Sequence, residues 1–219
     1  MLHELKHYYL QQMGIVSWIK RSPTQFRLQT QDNLCELAKT VSNCTRCSLY
    51  QSRTNTVFAR GNSQAKLMIV GEAPGFYEDQ QGLPFVGKAG SLLNKMLQSI
   101  GYTESDIYIA NVLKCRPPNN RDPKEDEIEQ CSDYLVQQIA AVKPLLILAV
   151  GRFAGQFLLN SKIPLGKMRG DIHKYQNTPV LVSYHPAYLL RNPSDKKKTY
   201  QDLQRVKQLI TELGNAQRA

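Results

Sequence analysis

Acidic residues are scarce in this chain: 18 Asp plus Glu face 28 Lys plus Arg over 219 residues, leaving a net charge of +10. The imbalance points toward a polyanionic partner, because phosphates release counterions to a basic surface. Neither G-x-G-x-x-G nor G-x-x-x-x-G-K-[ST] occurs, so a dinucleotide fingerprint and a Walker phosphate loop are both unsupported. Long apolar runs are missing too. The opening MLHELKHYYLQQMGIVSWIKR carries His, Glu and Lys through its apolar positions. No signal-peptide core or membrane span is therefore expected, and the protein is expected to be soluble and cytoplasmic, where disulfides are disfavoured. No internal repeat or low-complexity segment is visible, and 219 residues suit one full-sized α/β domain plus an appendage.

There are five cysteines and only one C-x-x-C pair, Cys44 and Cys47; Cys115 and Cys131 follow singly. Two thiolates in a C-x-x-C turn can face one ion or cluster, and two later cysteines complete a four-thiolate set. A zinc ribbon usually closes with a second C-x-x-C, so the spacing favours an iron–sulfur cluster over zinc. Buried free thiols, a disulfide and a thioredoxin-like pair remain open. Cys35, in DNLCELAKTV, reads as a small apolar residue of a helix and as a non-ligand.

Residues 1–27 read as an N-terminal extension, with Leu2, Leu5, Tyr9, Met13 and Val16 near helical spacing before Ser22-Pro23 breaks the pattern. Residues 28–219 are expected to form the domain. A helix over 32–41 leads to Cys44. Four nearly continuous apolar runs follow, AKLMIVG (65–71), DIYIANVLK (106–114), PLLILAVG (144–151) and TPVLVSYH (178–185), and continuity of this kind predicts strands buried on both faces. Helical patterns over 87–100, 124–142, 152–159 and 195–213 alternate with them. The expected architecture is α/β, three layers, with a parallel sheet covered on both faces. Ligands bind such sheets beyond the carboxyl ends of the strands, where Gly71-Glu72, Asn111, Gly151 and His185 fall.

The segment 71–90 holds five glycines, two prolines and three acidic residues between a strand and a helix. Phe85, an aromatic inside a Pro-Gly loop, can stack on a base or merely plug the loop. Gly87-Lys88-Ala89-Gly90 opens a helix whose free N–H groups, with Lys88, can hold a phosphate. Asn111 interrupts an apolar strand, and its donor–acceptor fork can read a base edge; the plain alternative is an Asn that tethers backbone. His185, pinned by Pro186, can donate to a developing anion. CRPPNNRDP (115–123) places Arg116 and Arg121 in a stiff basic loop suited to phosphates, and SYHPAYLLR offers Leu189 and Leu190 as an apolar wedge beside Arg191.

Together GEAPGFYED, GLPFVGKAG, NVLKCRPPNNR and SYHPAYLLR, in that order with the four cysteines, resemble the family 4 uracil-DNA glycosylases, the thermophile-type enzymes of bacteria and archaea that carry a 4Fe-4S cluster. The resemblance spans roughly residues 30–215. It implies the uracil-glycosylase fold, a four-stranded parallel sheet flanked by helices, and a monomeric DNA-repair hydrolase that flips uracil out of single- or double-stranded DNA and cuts its N-glycosidic bond. By the same resemblance Cys44, Cys47, Cys115 and Cys131 hold the cluster, Phe85 stacks on uracil, Asn111 reads its pairing edge and His185 faces O2. Backbone near Glu72 and Ala73 meets the departing base. Lys88, Arg116, Arg121, Leu189, Leu190 and Arg191 are the implied DNA contacts. Relatives in the wider superfamily carry a water-positioning aspartate where this chain has Ala73, and a thymine-excluding tyrosine where it has Gly75. Glu72 and Glu78 are the nearby carboxylates left for those tasks. No KRRIH insertion of the branch that becomes fixed to DNA is present. Two other readings stay open: a non-catalytic DNA-binding iron–sulfur module, and a glycosylase of broader deaminated-base specificity.

Overall fold

The computed structural model describes residues 23–216, with side chains from 33 onward. Of the expected extension, residues 1–22 lie outside the described residues, and 23–27 belong to the first helix. That helix, α1 (Pro23–Ser42), is followed by β1 (Arg60–Gly61), β2 (Leu67–Gly71), α2 (Phe76–Gln81), α3 (Lys88–Gln98) and β3 (Ile107–Asn111). Next come α4 (Glu125–Val142), β4 (Leu146–Val150), α5 (Arg152–Leu159), α6 (Leu165–Met168), β5 (Ile172–Tyr175), β6 (Thr178–Ser183), α7 (Pro186–Arg191) and α8 (Lys196–Ala216).

The strands form one sheet in the order β1-β3-β2-β4-β6-β5. Its centre, β3-β2-β4-β6, is parallel, in agreement with the four apolar runs. The expectation of a four-stranded parallel sheet is corrected at both margins. β1 pairs antiparallel with β3, and β5 pairs antiparallel with β6, making six strands and a mixed sheet. These edges escape a search for continuous apolarity because β1 has two residues and β5 alternates exposed with half-buried positions.

Because side chains alternate across a pleated strand, each inner strand feeds two cores. Met68, Val70, Tyr108, Ala110, Ile147, Ala149, Val180 and Val182 face α1, α4, α5 and α6 through residues such as Leu34, Leu135, Leu158 and Met168. Leu67, Ile69, Ile107, Ile109, Leu146, Leu148 and Leu181 face α3 and α8 through Leu93, Leu97, Leu203, Val206 and Ile210. Both faces are thus covered, which is why the inner strands are apolar through their middles, with polar Asn111 and Ser183 only at the carboxyl ends of β3 and β6. β2 lies between β3 and β4, so the chain leaves β2 to one side and returns to the other. A cleft opens where those connections diverge, at the carboxyl ends.

Candidate active site

Four loops meet over that cleft. A cavity of about 410 Å³ is lined by Glu72, Ala73, Pro74, Gly75 and Glu78 from the turn after β2, Phe85 and Ala89 from the approach to α3, and Asn111 at the end of β3. Pro117, Asn120 and Arg121 close one side, and His185, Ala187 and Arg191 the other. A groove of about 950 Å³ along α8, lined by residues such as Gln204 and Gln208, is larger. Chemistry selects the smaller cavity, because only there do a buried amide, an imidazole, two carboxylates and an aromatic ring converge.

Asn111 is 2% exposed, and its side-chain Oδ1 is the one buried polar side-chain atom among the described residues with no hydrogen-bond partner. A buried acceptor left unpaired costs about 1–3 kcal/mol, so this one is poised for a ligand donor. Its backbone is fixed from two sides: Asn111 pairs with Gly71 across the parallel ladder, and the Lys114 Nζ donates to its carbonyl at 2.6 Å. Lys114 is itself fully buried, with Gln138 Oε1 as its second acceptor at 2.6 Å, and burial lowers its pKa to about 8.

Phe85 has a left-handed backbone, φ 55°, uncommon for a bulky residue and a strain that the surrounding loop must hold. Glu78 Oε1 does so by accepting from Val86 N at 2.9 Å and Gly87 N at 3.0 Å. Arg60 adds a bond from Nε to Pro84 O at 2.8 Å. The ring lies against Gly71, where a Cβ would stand 2.7 Å from Phe85 Cζ and would also collide with Asn111 Oδ1. Gly71 is therefore a site residue that the sequence marked only as a strand end.

The Phe85 ring centroid lies 5.7 Å from that of His185, tilted 32°. His185 caps α7, with Nδ1 accepting from Ala187 N at 3.1 Å. A neutral imidazole that accepts at Nδ1 carries its proton on Nε2, so the cap fixes the tautomer. Burial, aided by Arg191 and opposed by Glu78, lowers its pKa to about 4. Glu72 moves the other way. Burial, with Asp122 adding and Arg152 opposing, raises its pKa to about 7.

The expected DNA contacts divide. Arg191 lines the cavity and is exposed; Lys88 is exposed at the first position of α3, and Arg116 is half-buried. Arg121 lines the cavity but grips the fully buried carboxylate of Glu127 with both terminal nitrogens, one of them at 2.9 Å, so its charge first serves the fold. The expectation of Leu189 as a wedge is corrected: it is 0% exposed, because Pro186–Arg191 forms helix α7 and turns that side chain inward. Leu190, 44% exposed, remains available as a wedge.

Away from this cavity, Cys44, Cys47, Cys115 and Cys131 line one small pocket with Arg46, Arg53, Lys114 and Tyr134. All five cysteines are free of disulfides. Cys35 lies exposed on α1 rather than in the core and does not line that pocket. Burial raises the pKa of Cys47 and Cys115 and pushes Cys131 up to about 11. Two donors point at sulfur: Arg53 Nη1 to Cys115 Sγ at 3.1 Å and Lys114 N to Cys131 Sγ at 3.3 Å. Four thiols in a small pocket with N–H···S donors and cationic neighbours supply the donor chemistry that a metal–thiolate centre needs. Among the described residues no three His, Cys, Asp or Glu side chains are grouped to hold a single metal ion. No described helix is long and apolar enough to cross a membrane.

Comparison with known proteins agrees with this geometry. Residues 58–204 match the family described as the uracil DNA glycosylase superfamily. A type-4 uracil-DNA glycosylase of Archaeoglobus fulgidus is 41% identical over 81% of this chain and 94% of its own length. That of Saccharolobus solfataricus is 42% identical over 82% and 88%, and that of Thermotoga maritima 39% over 85% and 100%. With the family matched across the sheet and such relatives aligned nearly end to end, the chain belongs to the type-4 uracil-DNA glycosylases of the uracil DNA glycosylase superfamily.

Proposed function

We propose that this protein removes uracil from DNA by hydrolysis of the N-glycosidic bond, releasing the base and leaving an abasic site for repair. The observation that carries the reading is the unpaired, buried Oδ1 of Asn111, beside the Phe85 ring and facing the same cavity as His185. A flipped uracil supplies what the site lacks. Its N3–H donates to Oδ1, its ring lies on Phe85, and its O4 accepts from the Asn111 amide nitrogen.

As the glycosidic bond breaks, negative charge gathers on the departing base. The neutral His185, with its proton on Nε2, donates to O2, and backbone N–H groups near Glu72 and Ala73 add to that field in a pocket with little water. Glu72, as a carboxylate, orients the water that captures the sugar carbon. Glu78 narrows the cavity where a thymine methyl would sit while it clamps the Phe85 loop. Lys88, Arg116 and Arg191 meet phosphates, and Leu190 enters the gap left by the flipped base.

Cys44, Cys47, Cys115 and Cys131 hold a 4Fe-4S cluster. The spacing, a single C-x-x-C followed by two lone cysteines, suits a cluster better than a zinc ribbon. Held by these residues, the cluster would tie the Cys44–Cys47 turn to Cys115 after β3 and to Cys131 on α4, a structural role apart from bond cleavage. The glycosylase domain takes in residues 28–219 together with 23–27, which begin its first helix, in a cytoplasmic monomer, with 1–22 as an extension.

The test is single-turnover excision from a uracil oligonucleotide, scored as alkali-labile breaks. Wild-type protein should release uracil. Asn111→Asp, which repels O4, should lose a contact worth about 2.7–4 kcal/mol in the transition state, roughly a hundredfold in rate or more. Wild-type inactivity on uracil DNA would refute the activity, and a near-wild-type rate for the variant would remove Asn111 from the site.

A further inference from the structure

Three of the largest exposed apolar side chains cluster on one short segment beside the cavity: Phe76 at 49%, Tyr77 at 56% and Leu83 at 45% exposure. The uracil reading employs none of them. Phe76 and Tyr77 begin α2, and their rings meet edge to face with centroids 5.5 Å apart. Consecutive aromatics that leave half their surface in water stabilise the fold little, so their placement calls for an occupant.

Two routes tie these rings to the cavity wall. The Arg116 guanidinium lies over Phe76, 5.1 Å from its centroid, while its Nε bonds Asn120 Oδ1 at 2.7 Å, and Asn120 lines the cavity. On the other side Tyr77 is packed so closely on Gly87 that a Cβ there would stand 3.3 Å from Tyr77 Cδ2. Gly87 N is held by Glu78, another cavity residue. The aromatic pair is thus continuous with the cavity rim, fixed in place, and backed by a cation.

We infer that Phe76 and Tyr77, with Arg116 above Phe76, form a stacking platform for an unpaired base adjacent to the flipped uracil, so that single-stranded DNA is the favoured substrate. The inference rests on the proposed uracil excision. Every base has a π-face, so such a platform tolerates sequence, whereas it needs a base free of its pairing partner. In a duplex the neighbouring base is already stacked and paired, and the platform gains little. Arg116 adds both a cation over the ring and charge for the adjoining phosphate.

The test uses three single-stranded oligonucleotides with one uracil: normal bases on both sides, an abasic spacer on the 5′ side, or the spacer on the 3′ side. A uracil duplex of the same sequence completes the set. Binding is read by anisotropy and excision by single turnover. One spacer should weaken wild-type binding by roughly tenfold, the scale of one stacked base. Phe76→Ala and Tyr77→Leu should each bind the normal single strand more weakly and become insensitive to the spacer, with duplex excision changed far less. Tyr77→Phe, which keeps the ring, should behave as wild type. A wild-type enzyme that excises uracil but ignores both spacers would overturn the platform while leaving the glycosylase reading intact; absence of excision from all four substrates would fail the glycosylase reading itself. A dimer in sedimentation that Phe76→Ala and Tyr77→Leu abolish would also overturn the platform, by assigning the rings to a second copy.

Discussion

Glu72 and His185 line one cavity, yet burial drives their titrations in opposite directions, to about 7 and about 4. Both shifts favour the uncharged form, as desolvation must. Near neutral pH the imidazole therefore stays neutral while the carboxyl group is close to half ionised. If Glu72 orients water as a carboxylate, excision should fall about tenfold per unit as pH drops below about 7, while His185 contributes no limb until about 4. Single-turnover rates between about pH 5 and 9 would show this limb, and Glu72→Gln should be slow but flat across it. A wild-type rate that holds steady from about pH 7 to 5 would mean the carboxylate form of Glu72 is not required. Residue by residue, the chemistry was readable where a polar group broke an apolar pattern, as Asn111 does. The buried ammonium of Lys114 was not, because NVLKC gives no sign that the lysine turns inward.

At the level of elements, the site depends on close backbone approach. Gly90, in α3, sits against the Phe85 carbonyl so tightly that any Cβ there would strike it. A main-chain clash cannot be relieved by a rotamer change, so Gly90→Ala must push the Phe85 loop aside. Overpacking of this kind costs about 1–3 kcal/mol, a Tm loss of roughly 2–12 °C for a chain this size. Excision should drop further, by about a hundredfold, because the displaced ring no longer lies beneath the base. Thermal melts and single-turnover rates on the same preparation check both, and an unchanged rate would detach Phe85 from catalysis. The inner strands were legible because two-sided burial leaves few polar positions in them, and the long helices because their apolar residues recur with helical spacing. Edge strand β5 alternates and is half exposed, so it lacked that signal. Helix α7 was hidden by its length of six residues, although Pro186 at its first position and a capping His185 were the available clues. Without that helix, Leu189 reads as a second wedge residue beside Leu190.

Across the whole molecule, cysteines separated by up to 87 positions meet only because α4 runs alongside α1 and the segment after β3, and no local pattern in the sequence carries that geometry. The same pocket wall holds Lys114, whose Nζ reaches the Asn111 carbonyl, so a cross-link among the four cysteines would bear on the strand that ends in Asn111. Binding to DNA should weaken with salt at a log–log slope of about −0.7 to −0.9 per phosphate contacted, and Arg191→Ala should flatten that slope by about one contact. Cross-linking makes a separate prediction. Cys131 is buried and accepts from Lys114 N, whereas Cys35 is exposed on α1. Aerobically or anaerobically purified wild-type protein should be brown, with broad visible absorption from thiolate-bound iron. Cys131→Ser should lose that colour and, at about 2–4 °C per kcal/mol, lower Tm by roughly 10 °C or more as several kcal/mol of tertiary cross-linking disappear. Cys35→Ser should keep both colour and Tm. Equal melting of the two variants would show that the ligand set is misassigned, and a colourless anaerobic preparation with stoichiometric zinc would replace the cluster by a single-ion centre.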